Sequence, residues 1–122
     1  MLHIFVSLRC EGKSYNEMCL AQKAIFKAYK EEKNKKHKDD LDLVESLFEN
    51  YAPGESNRIE FLGKSITKMG DADVVLIPFD YRISKGCTIE ALTAKIYGLS
   101  IVTYLNDNGN HVYFLDGLLE TF

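Results

Sequence analysis

Seven consecutive residues, Ser84-Lys85-Gly86-Cys87-Thr88-Ile89-Glu90, hold the groups in this chain best suited to chemistry. An apolar run, Val74-Val75-Leu76-Ile77, precedes them, and a helical pattern begins at Gly86. A strand-to-helix loop ending in glycine presents unpaired backbone N–H groups at the positive end of the helix, where an anion such as a phosphate can be held. Ser84 adds a hydroxyl donor. Glu90 is expected on the first turn of that helix, pointing into the same crevice. A carboxylate beside an anion site meets like-charge repulsion, so its placement there is a mark of function. The first strand ends in Ser7-Leu8-Arg9. If the two strands are neighbours, Arg9 faces the crevice and can pair with a phosphate bidentately. Each residue also has a plainer use. Glu90 in a first turn complements the helix dipole, Ser84 is a good N-cap, Gly86 suits a turn, and Arg9 can pair with Asp80 or Glu11.

The elements that must position these groups follow from pattern. Val74 to Ile77 reads as a strand buried on both faces. Pro78 withdraws a backbone donor, so Phe79 to Lys85 becomes a loop holding Asp80. Ile89, Leu92, Ala94, Ile96 and Tyr97 are spaced as a helix laid on a sheet; Gly98 stops it and Ile101-Val102 starts the next strand. This is a βαβ unit, whose ligands bind beyond the strands' carboxyl ends.

Upstream, His3 to Leu8 is the first strand, followed by a polar loop with Gly12. Ser14 and Glu17 have capping-box spacing, opening a helix with the stripe Met18, Leu20-Ala21, Ala24-Ile25 and Ala28-Tyr29. It dissolves near Glu31 into EEKNKKHKDD, a solvated helix end and loop in which four acids interleave with the bases. Leu41, Val44, Leu47-Phe48 and Tyr51 repeat at helical spacing, and Leu47 to Tyr51 could equally form a short strand. Residues 52–57 form a turn cluster. Ile59, Leu62, Ile66 and Met69 make a further helix ended by Gly70. Residues 106–110 signal a hairpin, His111 to Leu115 a last strand, and residues 118–122 a tail docked on the core.

With 122 residues, 46% hydrophobic and 27% charged, the chain forms a single domain, 1–122. A net charge of −3 gives no case for binding a nucleic-acid polymer or an anionic membrane. No apolar run reaches the roughly 18–20 residues needed to span a bilayer, and the N-terminus lacks a signal peptide's basic start. A cytoplasmic location is expected. Cys10, Cys19 and Cys87 form no CxxC pair and read as reduced thiols. His3, His37 and His111 are too scattered to assemble a metal site, and nothing calls for a cofactor.

At these residues the sequence resembles the nucleoside 2-deoxyribosyltransferase superfamily, which includes the 2'-deoxynucleoside 5'-phosphate N-hydrolases and small phage and bacterial relatives. The matching pieces are Ser7-Leu8-Arg9 followed by Gly12, Ala72-Asp73-Val74-Val75, and Ser84-Lys85-Gly86-x-x-x-Glu90-x-x-x-Ala94-x-x-x-Gly98. The likeness is strongest from Ala72 to Val102. It implies a flavodoxin-like or Rossmann-like parallel sheet of about four to five strands flanked by helices, an α/β fold. The implied ligand is a small-molecule nucleoside or nucleotide, and the implied assembly is a homodimer.

In active members of that superfamily, a glutamate matching Glu90 attacks the anomeric carbon and the glycosyl-enzyme is resolved by a second base or by water, as in retaining glycoside hydrolysis. In its hydrolase branch, residues matching Ser7, Arg9 and Ser84 hold the 5'-phosphate. The chain departs from the pattern at one place. Active enzymes carry an aspartate on the helix before the strand, at a position falling at or near Ser65, where no carboxylate is found. Glu60 lies more than a turn earlier, which leaves Asp80 to help the base leave. The same scaffold without catalysis would be a nucleotide-binding protein, and a third reading is an interaction domain using the charged segment near residues 30–40.

Overall fold

β1 spans Leu2–Val6, an apolar run whose last three residues are buried. The structure is a computed structural model and describes residues 1–10, 12–35, 40–47, 58–107 and 111–118. β1 pairs in parallel with β2 (Leu41–Leu43) on one side and with β3 (Val74–Pro78) on the other. β3 in turn pairs in parallel with β4 (Ser100–Asp107), and β4 pairs antiparallel with β5 (His111–Asp116). The order is β2-β1-β3-β4-β5, a mostly parallel α/β sheet of the flavodoxin-like or Rossmann-like kind. Its strand order reverses between β1 and β3, where such sheets leave a crevice at the carboxyl ends.

Among the described residues, three α-helices cover the sheet. α1 (Tyr15–Asn34) opens with the expected capping box, Ser14 accepting from the Glu17 amide and Glu17 from the Ser14 amide. It packs Ile25 and Tyr29 against Ile4, Val6, Leu76, Val102 and Tyr104. α2 (Arg58–Met69) and α3 (Lys85–Ile96) share the other face, where Met69, Cys87, Ala91 and Ala94 meet Phe5, Val75 and Ile77. Side chains alternate along a strand, so Ser7, two residues past Phe5, belongs to the α3 side.

Several expectations need correction. Leu41 to Leu43 is a strand, not the start of a helix: three residues are too few to express a two-residue period, and Leu41 with Val44 imitates a helical step. Residues 48–57, with the alternative strand ending at Tyr51 and the turn cluster, lie outside the described residues. In α3 the sheet-facing side chains are Cys87, Glu90, Ala91 and Ala94, while Ile89, Leu92, Ile96 and Tyr97 are exposed. Small residues win the inner face because they let the helix approach the sheet closely. Leu20 of α1 also points outward, and buried Gln22 takes part of its inner stripe. Pro78 stays in register opposite Tyr104, and the Phe79 amide donates to the Tyr104 carbonyl at 2.9 Å. Gly98 ends α3 as expected, with a φ of 70° that a side chain would resist.

Candidate functional site

Glu90 sits at the strand reversal point. Ser84, with extended backbone, caps α3 through its hydroxyl, which accepts from the Cys87 amide at 3.4 Å. The helix therefore starts at Lys85, and Glu90 lies in its second turn, not its first. The dipole explanation for this acid weakens accordingly, since that effect fades within a turn. From the second turn Glu90 faces the sheet and is 6% exposed. One carboxylate oxygen accepts from the Ser7 hydroxyl at 2.6 Å and the other from the Ser65 hydroxyl at 2.7 Å. Burial raises its pKa above the ordinary glutamate value, and the two serine hydrogen bonds offset only part of that rise.

The bond to Ser7 joins β1 to α3, while that to Ser65 joins α2 to α3. The expected neighbourhood of the first and Val74-to-Ile77 strands holds, since β1 and β3 pair directly. Arg9 and Asp80, from the loops after those strands, meet at 3.3 Å. Ser84 is buried at the mouth as a cap, and Gly86, second in α3, has open space where a side chain would project. Gly12 is exposed with a φ of 75°, the conformation of a turn between β1 and α1. The structure thus brings together Ser7 and Glu90 directly, Arg9 with Asp80, and Ser84 with Gly86 at the start of the same helix. Gly12 turns the chain that leads away from them.

Four members of this cluster have no role that residue spacing assigns. Ser65 marked only the place of a missing carboxylate, yet its hydroxyl reaches Glu90. Tyr104, buried on β4, donates to the Ser7 carbonyl at 2.6 Å; its signal was a tyrosine two residues past the Ile101-Val102 start of that strand. Burial foremost, with the nearby Glu90 carboxylate, pushes the Cys10 thiol up to about 12. Burial likewise pushes Cys87 up to about 11. Neither thiol supplies a thiolate near neutral pH.

A separate open cleft of about 520 Å³ is lined by residues including His3, Asp42, Glu45, Lys68 and Asp71 and shares no residue with the Glu90 cluster. Among the described residues, no group of three or more His, Cys, Asp or Glu is placed to hold a metal, and no helix is long and apolar enough to cross a membrane. No family model, curated protein or solved structure matches the chain.

Proposed function

We propose that this chain cleaves or transfers the N-glycosidic bond of a (deoxy)nucleoside or its 5'-monophosphate, with Glu90 as the nucleophile. The observation that carries the reading is a buried carboxylate at the switch point, each oxygen held by one serine hydroxyl. Such an acid is fixed in position and poorly solvated, two properties that favour attack on an oxocarbenium-like carbon. In the step envisaged, one Glu90 oxygen bonds to the anomeric carbon as the carbon–nitrogen bond breaks and its electron pair leaves on the base. The base takes up a proton from Asp80 or water. Water then opens the glycosyl ester, giving hydrolysis, or a second base does so, giving transfer. Arg9, Ser84 and the amides around Gly86 line the side on which a 5'-phosphate would bind.

Incubation with a panel of nucleosides and 5'-monophosphates, with free base followed by chromatography, tests the reading. Glu90→Ala abolishes base release while leaving ligand binding intact; unchanged turnover in that variant rules the mechanism out. The reading carries with it a cytoplasmic location and a homodimer, the latter checked by light scattering.

One observation favours a second reading. Ser65 offers Glu90 a hydroxyl where the resemblance implies a carboxylate, and Asp80 is engaged by Arg9. A site lacking an acid to protonate the leaving base loses about 10²–10⁴-fold in rate, which suits a protein that binds nucleotides without cleaving them. Calorimetric binding together with no free base after long incubation selects it.

A further inference from the structure

We infer that Tyr104 is a positioning residue for Glu90, acting through Ser7 from two strands away. The inference rests on the reading of Glu90 as the reacting acid, but its test does not require turnover. Tyr104 belongs to the core on the α1 side of the sheet, whereas Glu90 lies on the α3 side. Its hydroxyl donates to the Ser7 carbonyl at 2.6 Å, and the Ser7 hydroxyl donates to Glu90 at 2.6 Å. Ser7 is the first residue beyond β1, and its own amide donates to the Leu76 carbonyl at 2.8 Å. Two bonds to the Ser7 backbone, one from the β3 main chain and one from a β4 side chain, thus hold a residue that has already left the regular strand. With both in place the Ser7 hydroxyl stays aimed at the carboxylate. Without the phenol, the Ser7 carbonyl loses this partner, and the loop leading to Arg9 gains freedom to turn.

Other groups around Glu90 do not take over this task. Cys10 comes from the loop after β1, Cys87 from α3 and Asp80 from the loop after β3. α2 supplies Ser65, which binds the other carboxylate oxygen. Arg9 is paired with Asp80, and Lys13 donates to the Arg9 carbonyl at 2.9 Å. Ser7 is therefore the route by which β4 reaches the acid.

The test follows the Glu90 carboxyl directly, by carbon-13 NMR titration of the full chain, alongside the pH profile of base release. Tyr104→Phe keeps the ring and removes only the hydroxyl. It moves the Glu90 titration to higher pH and lowers base release below that limb by about threefold to tenfold, the worth of one hydrogen bond. Ser7→Ala does the same, and the double variant adds little, because both substitutions break one chain of bonds. Tyr113→Phe, at an exposed tyrosine of β5, leaves both readings unchanged. A Glu90 titration that moves in Ser7→Ala but stays at its wild-type position in Tyr104→Phe overturns the proposal. If Tyr104→Phe does not fold, 3-fluorotyrosine at position 104 provides a stronger donor of nearly the same shape; it moves the titration to lower pH, and no movement overturns the proposal equally. Wild-type protein that releases no base while these shifts occur removes the enzymatic reading and leaves the positioning role standing.

Discussion

Two polar side chains are buried in helices packed on opposite faces of the sheet, and they are treated differently. On the α1 face, Gln22 is 4% exposed and donates to the Ser46 hydroxyl at 2.9 Å and the Val6 carbonyl at 3.4 Å. On the other face, Glu90 is 6% exposed and takes its hydrogen bonds from Ser7 and Ser65. A neutral amide is well served by neutral partners, so Gln22 is a satisfied structural residue. A carboxylate given the same kind of partners carries a desolvation penalty: burial raises its pKa, and the two serine hydrogen bonds offset only part of that rise. Folding alone gives no reason to put an ionisable group there; a glutamine would sit more comfortably. The role proposed for Glu90 would supply a reason.

The most severe break is Glu90→Gln, which makes the two sites alike. Base release falls by at least about 10³-fold in chromatographic assays. The same variant gains stability near neutral pH, on the order of 1 kcal/mol by urea unfolding. The sign follows from linkage. Below the ordinary glutamate pKa of 4.5, the folded and unfolded chains both hold the proton and the charge term vanishes. As pH rises the unfolded chain ionises first, so wild-type protein loses stability until the folded carboxyl also gives up its proton. The advantage of Glu90→Gln therefore opens above pH 4.5 and levels off beyond the raised pKa. A stability difference independent of pH would contradict this account of Glu90.

Gln22→Leu is the converse experiment. It takes the amide from Ser46, costs about 1–3 kcal/mol in urea unfolding, and leaves base release per folded molecule unchanged; a selective loss of base release would erase the distinction between the faces. Ser65→Ala sharpens it: removing one of the bonds that favour the charged carboxylate moves the acid limb of base release upward in pH and lowers activity below that limb by about threefold to tenfold. Arg9→Met has the smallest effect on stability, under about 1 kcal/mol, because its pairing with Asp80 is partly exposed. Its readout is KM, which rises for a 5'-monophosphate and holds for the matching nucleoside.

Much of this arrangement was legible from residue order. The β-branched run at Val74 to Ile77, the Ser14–Glu17 capping box and Gly98 each record a local rule, and each element formed where that rule put it. The pairing of the first strand with the Val74 strand brings the Ser7-to-Arg9 tip to the Glu90 crevice as expected, but the Ser7 hydroxyl, which the resemblance assigns to a phosphate, bonds Glu90 instead. Other features were hidden for physical reasons. Ile89, Leu92 and Ile96 form a true helical stripe, but periodicity does not say which side of a two-sided helix is covered. Leu41 to Leu43 is too brief to show alternation. Gln22 interrupts an apolar stripe, and only the position of Ser46 explains why that is tolerated. Tyr104 acts across the sheet, a relation that no spacing along the chain encodes.

β3 is buried along its whole length and bonded on both sides, to β1 and β4. Breaking its ladder means opening the sheet, so in deuterated water its amides trade their protons among the last in the molecule. The floor beneath Glu90 is then an anvil rather than a hinge. If a ligand binds as proposed, what gives way belongs to the chain beyond the strand tips, while the β1–β3–β4 ladder holds those tips at a set spacing.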